Sequence, residues 1–130
     1  MSPRTLKRSL LIALLALFFA AALNAAPLTP PIRAEIEVLL SALEASGCRF
    51  NRNGSWHLAP EAKMHLLRKL DYLEDKKAVQ NTEQFIDLAA SASSVSGKEY
   101  LVQCGDTPPI PSKQWLLAQL ATIRSSTGQP

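Results

Sequence analysis

The apolar residues of this chain fall into two regimes. Leu10 to Leu23 is an almost unbroken run of Leu, Ala, Ile and Phe, whereas everything after Pro31 is divided into short periodic segments. Ile32, Ile36, Leu39, Leu40 and Leu43 recur at helical spacing and predict a helix with one buried face. Thr29 is its expected cap, prolines are tolerated in its first turn, Glu35 and Glu37 lie near its positive end, and Gly47 stops it. Ala62, Leu66, Leu67, Leu70 and Leu73 mark a second helix over 60–77 that starts at Pro60. Asn81 and Gln84 resemble a capping box and open a third, through Phe85, Leu88, Ala89 and Ala92. Ser112 is the expected cap of a last helix whose inner stripe is Leu116, Leu120 and Ile123.

Between the first two helices the period changes. Cys48-Arg49-Phe50-Asn51 and Ser55-Trp56-His57-Leu58 flank Arg52-Asn53-Gly54, and Asn-Gly is a strong hairpin signal because both residues tolerate positive φ. Glu99 to Cys104 alternates Tyr100 and Val102 with polar neighbours and is a third strand candidate. Ser91 to Gly97 is a serine-rich turn, and Gly105 to Pro111 is a proline-stiffened connection. The expected fold is α+β, with about four helices packed on a small two- to three-stranded antiparallel sheet.

The apolar run changes how the rest is counted. Arg4, Lys7 and Arg8 precede it and small residues follow it, the order of a secretory signal peptide, with cleavage expected after Ala25. Its apolar core is shorter than the ~20 residues that a helix needs to cross a membrane, so no stable anchor is expected after cleavage. The expected division is a signal peptide over 1–25, a linker over 26–31, one small domain over 32–124 and a disordered tail over 125–130. The chain's 14 basic residues less those three leave 11 against 11 acidic ones. The basic balance therefore disappears, and with it the electrostatic signature of nucleic-acid binding.

Export also gives the two cysteines a meaning. Cys48 and Cys104 both lie in the exported part, where an oxidising compartment favours one intramolecular bridge. It would close a loop of roughly 57 residues, for which chain entropy gives about 4 kcal/mol. A metal site is the competing reading, but these cysteines lack zinc-ligand spacing and a matching histidine pair. No metal and no cofactor is expected.

Three groups of polar residues are candidates for chemistry. Glu61, His65, Lys69 and Tyr72 lie three or four residues apart along one flank of the second helix, and could bind an anionic group or move a proton. Long side chains covering the edge of a core explain the same pattern. The hairpin tip offers Arg52, Asn53 and Trp56, an arginine fork with an amide and an indole suited to a sugar or a carboxylate. Turn geometry alone also accounts for Asn53 and Gly54, and Trp56 could plug the core beneath the sheet. The third group is Ser93, Ser94 and Ser96 with Ser91; His57 and His65 are the only histidines, and no Gly-x-Ser-x-Gly elbow is present. Serines in such a turn commonly bond their own backbone. No catalytic residue is assigned.

The ordered series Ser46-Gly47-Cys48-Arg49-Phe50, Arg52-Asn53-Gly54-Ser55-Trp56, Glu61-Ala62 with His65-Leu66, Phe85-Ile86, Ser93-Ser94, Ser96-Gly97, Tyr100-Leu101-Val102 with Cys104, and Trp115-Leu116 resembles the YfeK-like family of small exported proteins of unknown function from Gram-negative bacteria. The resemblance runs from about Ile32 to Arg124. It implies a periplasmic, disulfide-bonded protein and supplies no activity. The expected function is a non-enzymatic binding or interaction domain of the cell envelope, in the periplasm or outside the cell, its partner an envelope protein, a peptide or a glycan. A small hydrolase or transferase acting on an envelope polymer, and an inhibitor of a periplasmic enzyme, are the alternatives. Should the three polar groups face one another, they would form one mixed groove for a neutral or anionic ligand.

Overall fold

The structure, a computed structural model, describes residues 27–128. The expected signal peptide lies outside the described residues. Among those described are helices α1 (Pro30–Ala45), α2 (Ala59–Asp75), α3 (Thr82–Ala89) and α4 (Ser112–Ser126). The strands are β1 (Arg49–Arg52), β2 (Ser55–Leu58), β3 (Leu101–Gln103) and β4 (Ile110–Pro111), all paired antiparallel in the order β2-β1-β3-β4. The α+β class is as expected, but the sheet has four strands rather than two or three. The extra one lies in the proline-stiffened connection. It is too short to show alternation, and Pro111, which has no N–H to donate, is tolerated because β4 is an edge.

α1 is the central helix and touches the other three. Its Ile36, Leu39, Leu40 and Leu43 are fully buried, and they meet Leu66 and Leu70 of α2, Phe85 and Ile86 of α3 and Leu116 of α4 in one core. Gly47 reverses the chain at φ +69° into β1. The hairpin turns at Asn53 (φ +53°) and Gly54 (φ +84°), which fits the Asn-Gly signal and sets Arg52 opposite Ser55. From there the two-residue period places Phe50, Arg52 and His57 on the face turned to the helices. Arg49, Trp56 and Leu58 lie on the outer face.

The disulfide Cys48–Cys104 forms, and no cysteine among the described residues is free. It joins the chain just before β1 to the chain just after β3, strands that are themselves paired through Phe50 and Val102.

Helix starts match the sequence unevenly. Asn81 caps α3 as expected, its side chain accepting from Gln84 N–H at 2.8 Å, while the Gln84 side chain accepts from Gln80 N–H at 2.8 Å. Thr29 occupies the cap position of α1 without a side-chain bond. Ser112 is not the cap of α4. Pro111 holds that position, Ser112 is the first helical residue, and its buried hydroxyl has no partner among the described residues. α4 continues to Ser126, two residues into the expected tail.

Candidate functional site

The two-residue period of β1 carries Arg52 past the core toward α2, where it meets the polar row of that helix. Arg52 donates to Nδ1 of His65 at 2.6 Å. An arginine has no acceptor, so Nδ1 is the bare nitrogen and the ring proton sits on Nε2. Nε2–H points to the Tyr100 hydroxyl at 3.4 Å. One helical turn further, Lys69 donates to the same hydroxyl at 3.2 Å and to the Ala92 carbonyl at 3.3 Å, its ammonium 5.0 Å from the centre of the phenol ring. Tyr100 is 2% exposed, packs on Phe50 with ring centres 5.1 Å apart, and forms the floor of the site.

The serine turn is joined to the hairpin through Asn53. The Asn53 amide donates to Ser93 Oγ at 3.4 Å and accepts from Ser96 Oγ at 2.6 Å. Ser93 Oγ also accepts from the backbone N–H groups of Val95 and Ser96, so its lone pairs are committed to the turn. Between hairpin, α2 and serine turn lies an open cleft of about 500 Å³, bordered by Arg52, Asn53, His65, Lys69, Ser94 and Tyr100 among others.

The electrostatics of the cleft are one-sided. Burial, reinforced by the positive charges of Arg52, Lys69 and Arg68 and by His57, pushes the His65 imidazole down to about 4. At neutral pH it is therefore uncharged. Burial and then Arg52 lower the Lys69 ammonium, and burial raises the Tyr100 phenol. Among the described residues no carboxylate pairs with Arg52 or Lys69, and none borders this cleft. The one acid of the α2 row, Glu61, is turned to His57 at 3.3 Å instead.

Of the sequence candidates, Arg52, Asn53, His65, Lys69, Ser93 and Ser94 come together here, and Ser96 joins through Asn53. Two do not. Tyr72 is 63% exposed, with the Lys76 ammonium 5.7 Å from its ring, and borders a neighbouring depression. Trp56 neither plugs the core nor borders the cleft; it is 38% exposed on the outer face, beneath the Arg49 guanidinium at 5.3 Å. The residue that sequence reasoning missed is Tyr100. Its parity with inward Val102 was the available signal, because a phenol at the inner end of a strand needs a polar partner. No group of residues suited to hold a metal ion occurs among the described residues.

The fold and the cleft define a small disulfide-bonded α+β domain with a cationic, carboxylate-free depression between a hairpin and a helix. The family model described as a family of unknown function, DUF5329, matches residues 30–124, and the chain belongs to that family. It is similar to the uncharacterized protein YfeK of Salmonella typhimurium, with 41% identity over 68 residues, 52% of this chain and 55% of that protein. The chain thus spans about half the length of that curated relative. No solved structure matches.

Proposed function

We propose that this domain is a non-enzymatic binding module of the bacterial cell envelope whose cleft receives an anionic group. The observation that carries the reading is the pair Arg52 and Lys69, two half-buried cations that flank a neutral His65 and have no carboxylate paired with them among the described residues. Partly buried positive charge without a counter-charge is costly, and a bound anion supplies the missing partner. Binding rather than turnover is supported by where the hydrogen bonds go. The bare nitrogen of His65 is taken by Arg52, and Ser93 Oγ is taken by backbone N–H groups and Asn53. The envelope location draws its support from the leader pattern of the first 25 residues together with the disulfide.

The test is an NMR titration of the purified protein with acetate and with phosphate, in the wild type and in Lys69→Met. The variant keeps the aliphatic stem and removes the charge. Resonances of His65 and Tyr100 are expected to move with the anion in the wild type, less so at high salt, and to stay fixed in Lys69→Met. No movement with either anion, or the same movement in the variant, refutes the reading. Cell fractionation with N-terminal sequencing tests the location: a cytoplasmic protein that retains Met1 or Ser2 overturns it.

A further inference from the structure

The cationic cleft does not end at its polar walls. The α2 row passes through it, and at each end the row runs into a depression of different character. Beyond Lys69 lies one of about 420 Å³, walled mainly by Tyr72, Leu73 and Leu88, with Arg68 and Ser94 at its edge. Beyond His65 in the other direction lies one of about 270 Å³, bordered by Phe50, Ala62 and Met64 together with His57 and Glu61. Both share His65 with the cleft, so the three depressions adjoin in a row along α2, called here the groove. From Glu61 to Tyr72 the groove follows eleven residues of helix, about 16 Å at 1.5 Å per residue. Its apolar walls are open to water: Leu88 is 47% exposed and Met64 is 60% exposed.

Resting on the reading of the cleft as an anion site, we infer that the ligand is a carboxylate carrying an apolar arm, its charge held between Arg52 and Lys69 and its arm laid along Tyr72, Leu73 and Leu88. Charge complementarity fixes the head. The centre of the groove has cations without carboxylates, whereas Glu61 stands at the far end, so an anion gains most at the middle. Hydrophobic burial suits the arm, because an apolar group laid over the exposed Tyr72 and Leu88 removes their surface from water. A small inorganic anion would leave that surface wet. A free fatty acid and the C-terminal residue of a peptide ending in leucine both present this chemistry.

The experiment measures the affinity of the full-length purified protein for butyrate, hexanoate, octanoate and decanoate below their micelle concentrations, with decylamine as the cationic control. Each methylene buried contributes about 0.8 kcal/mol, roughly fourfold in affinity, so affinity should climb about fifteenfold for every two methylenes until the arm is full. Leu88→Ser should flatten this climb and leave acetate unaffected, and Lys69→Met should weaken every member of the series. N-acetyl dipeptides ending in leucine, set against their amides, separate the two sources: free acids that bind better than decanoate and better than their amides assign the peptide, free acids that bind less well than decanoate assign the fatty acid, and amides that bind as well as the free acids refute the carboxylate head. If acetate binds as tightly as decanoate and Leu88→Ser changes nothing, the apolar arm is refuted while the anion site stands. If decylamine binds as tightly as decanoate, or no carboxylate binds, both readings fall.

Discussion

His65→Gln isolates the electrostatic cost of the cleft. A glutamine side chain can accept from Arg52 and donate toward Tyr100, as the neutral imidazole does, but it cannot take up a proton. In the unfolded chain His65 titrates near 6.5, and in the folded protein burial and its cationic neighbours hold it at about 4. Between those values the unfolded state binds a proton that the folded state does not. Stability therefore falls as pH falls from 6.5 to 4, and the contribution is fully lost below the folded value. At 1.36 kcal/mol per unit the ceiling is about 3 kcal/mol; solvent at the cleft mouth screens the interaction and leaves about 1 to 2 kcal/mol. Urea denaturation from pH 7.5 down to pH 4.5 reads this directly. The wild type should lose that amount across the interval, and His65→Gln should lose much less. Glu35, held low chiefly by its hydrogen bonds from Arg124, contributes stability above the unfolded carboxylate range and loses it as pH falls through its own lowered value, so both proteins should weaken together below about pH 4.5. Equal slopes in the two proteins between pH 6.5 and 4.5, or a His65 ring that titrates near 6.5 by NMR, refute the electrostatic account.

Other predictions concern the frame around the cleft. Leu70→Ala, at a fully buried position facing α1, should cost about 2 to 5 kcal/mol in denaturant unfolding; a loss below about 1 kcal/mol would contradict the core described above. Reduction of Cys48–Cys104 should lower the denaturation midpoint by an amount equivalent to as much as about 4 kcal/mol, and an unchanged midpoint would show that β1–β3 pairing needs no covalent support. Ser112→Ala removes a buried hydroxyl without a partner among the described residues and should stabilise the domain by about 1 kcal/mol; a clear loss in the same assay would reveal a partner for that hydroxyl.

The elements that the sequence made legible are those in which a local period repeats long enough to be read. α1 and α2 have four and more apolar residues on one face, and the Asn53-Gly54 turn is dictated by backbone conformation alone. β4 escaped because two residues cannot show a period, and Ser112 was misplaced because a serine before an apolar stripe looks the same at the cap and at the first helical position. There Pro111 had already supplied the fixed φ, at −54°, that leads into the helix. Trp56 was grouped with Arg52 on adjacency along the chain. The strand period separates them, sending Arg52 to α2 and the indole to the outer face.

The cleft itself was half legible for a reason that composition hides. With Arg4, Lys7 and Arg8 set aside, the acidic and basic residues balance, which suggests a featureless surface, but most of the acids are engaged elsewhere. Glu37, Asp71 and Glu74 surround Arg33; Glu35 and Glu83 hold Arg124; Asp87 pairs with Lys113 and Glu44 with Lys63. Apart from Arg33–Glu37 within α1, those pairs tie α1 to α2 and α4, and α3 to α4, and among the described residues they leave Arg52 and Lys69 without a carboxylate partner. A domain whose charges balance thus acquires a cationic cleft by placement rather than by count. Only tertiary pairing distributes charge in this way, so the row Glu61, His65, Lys69, Tyr72 could be read from helical spacing while the sign of the potential above it could not.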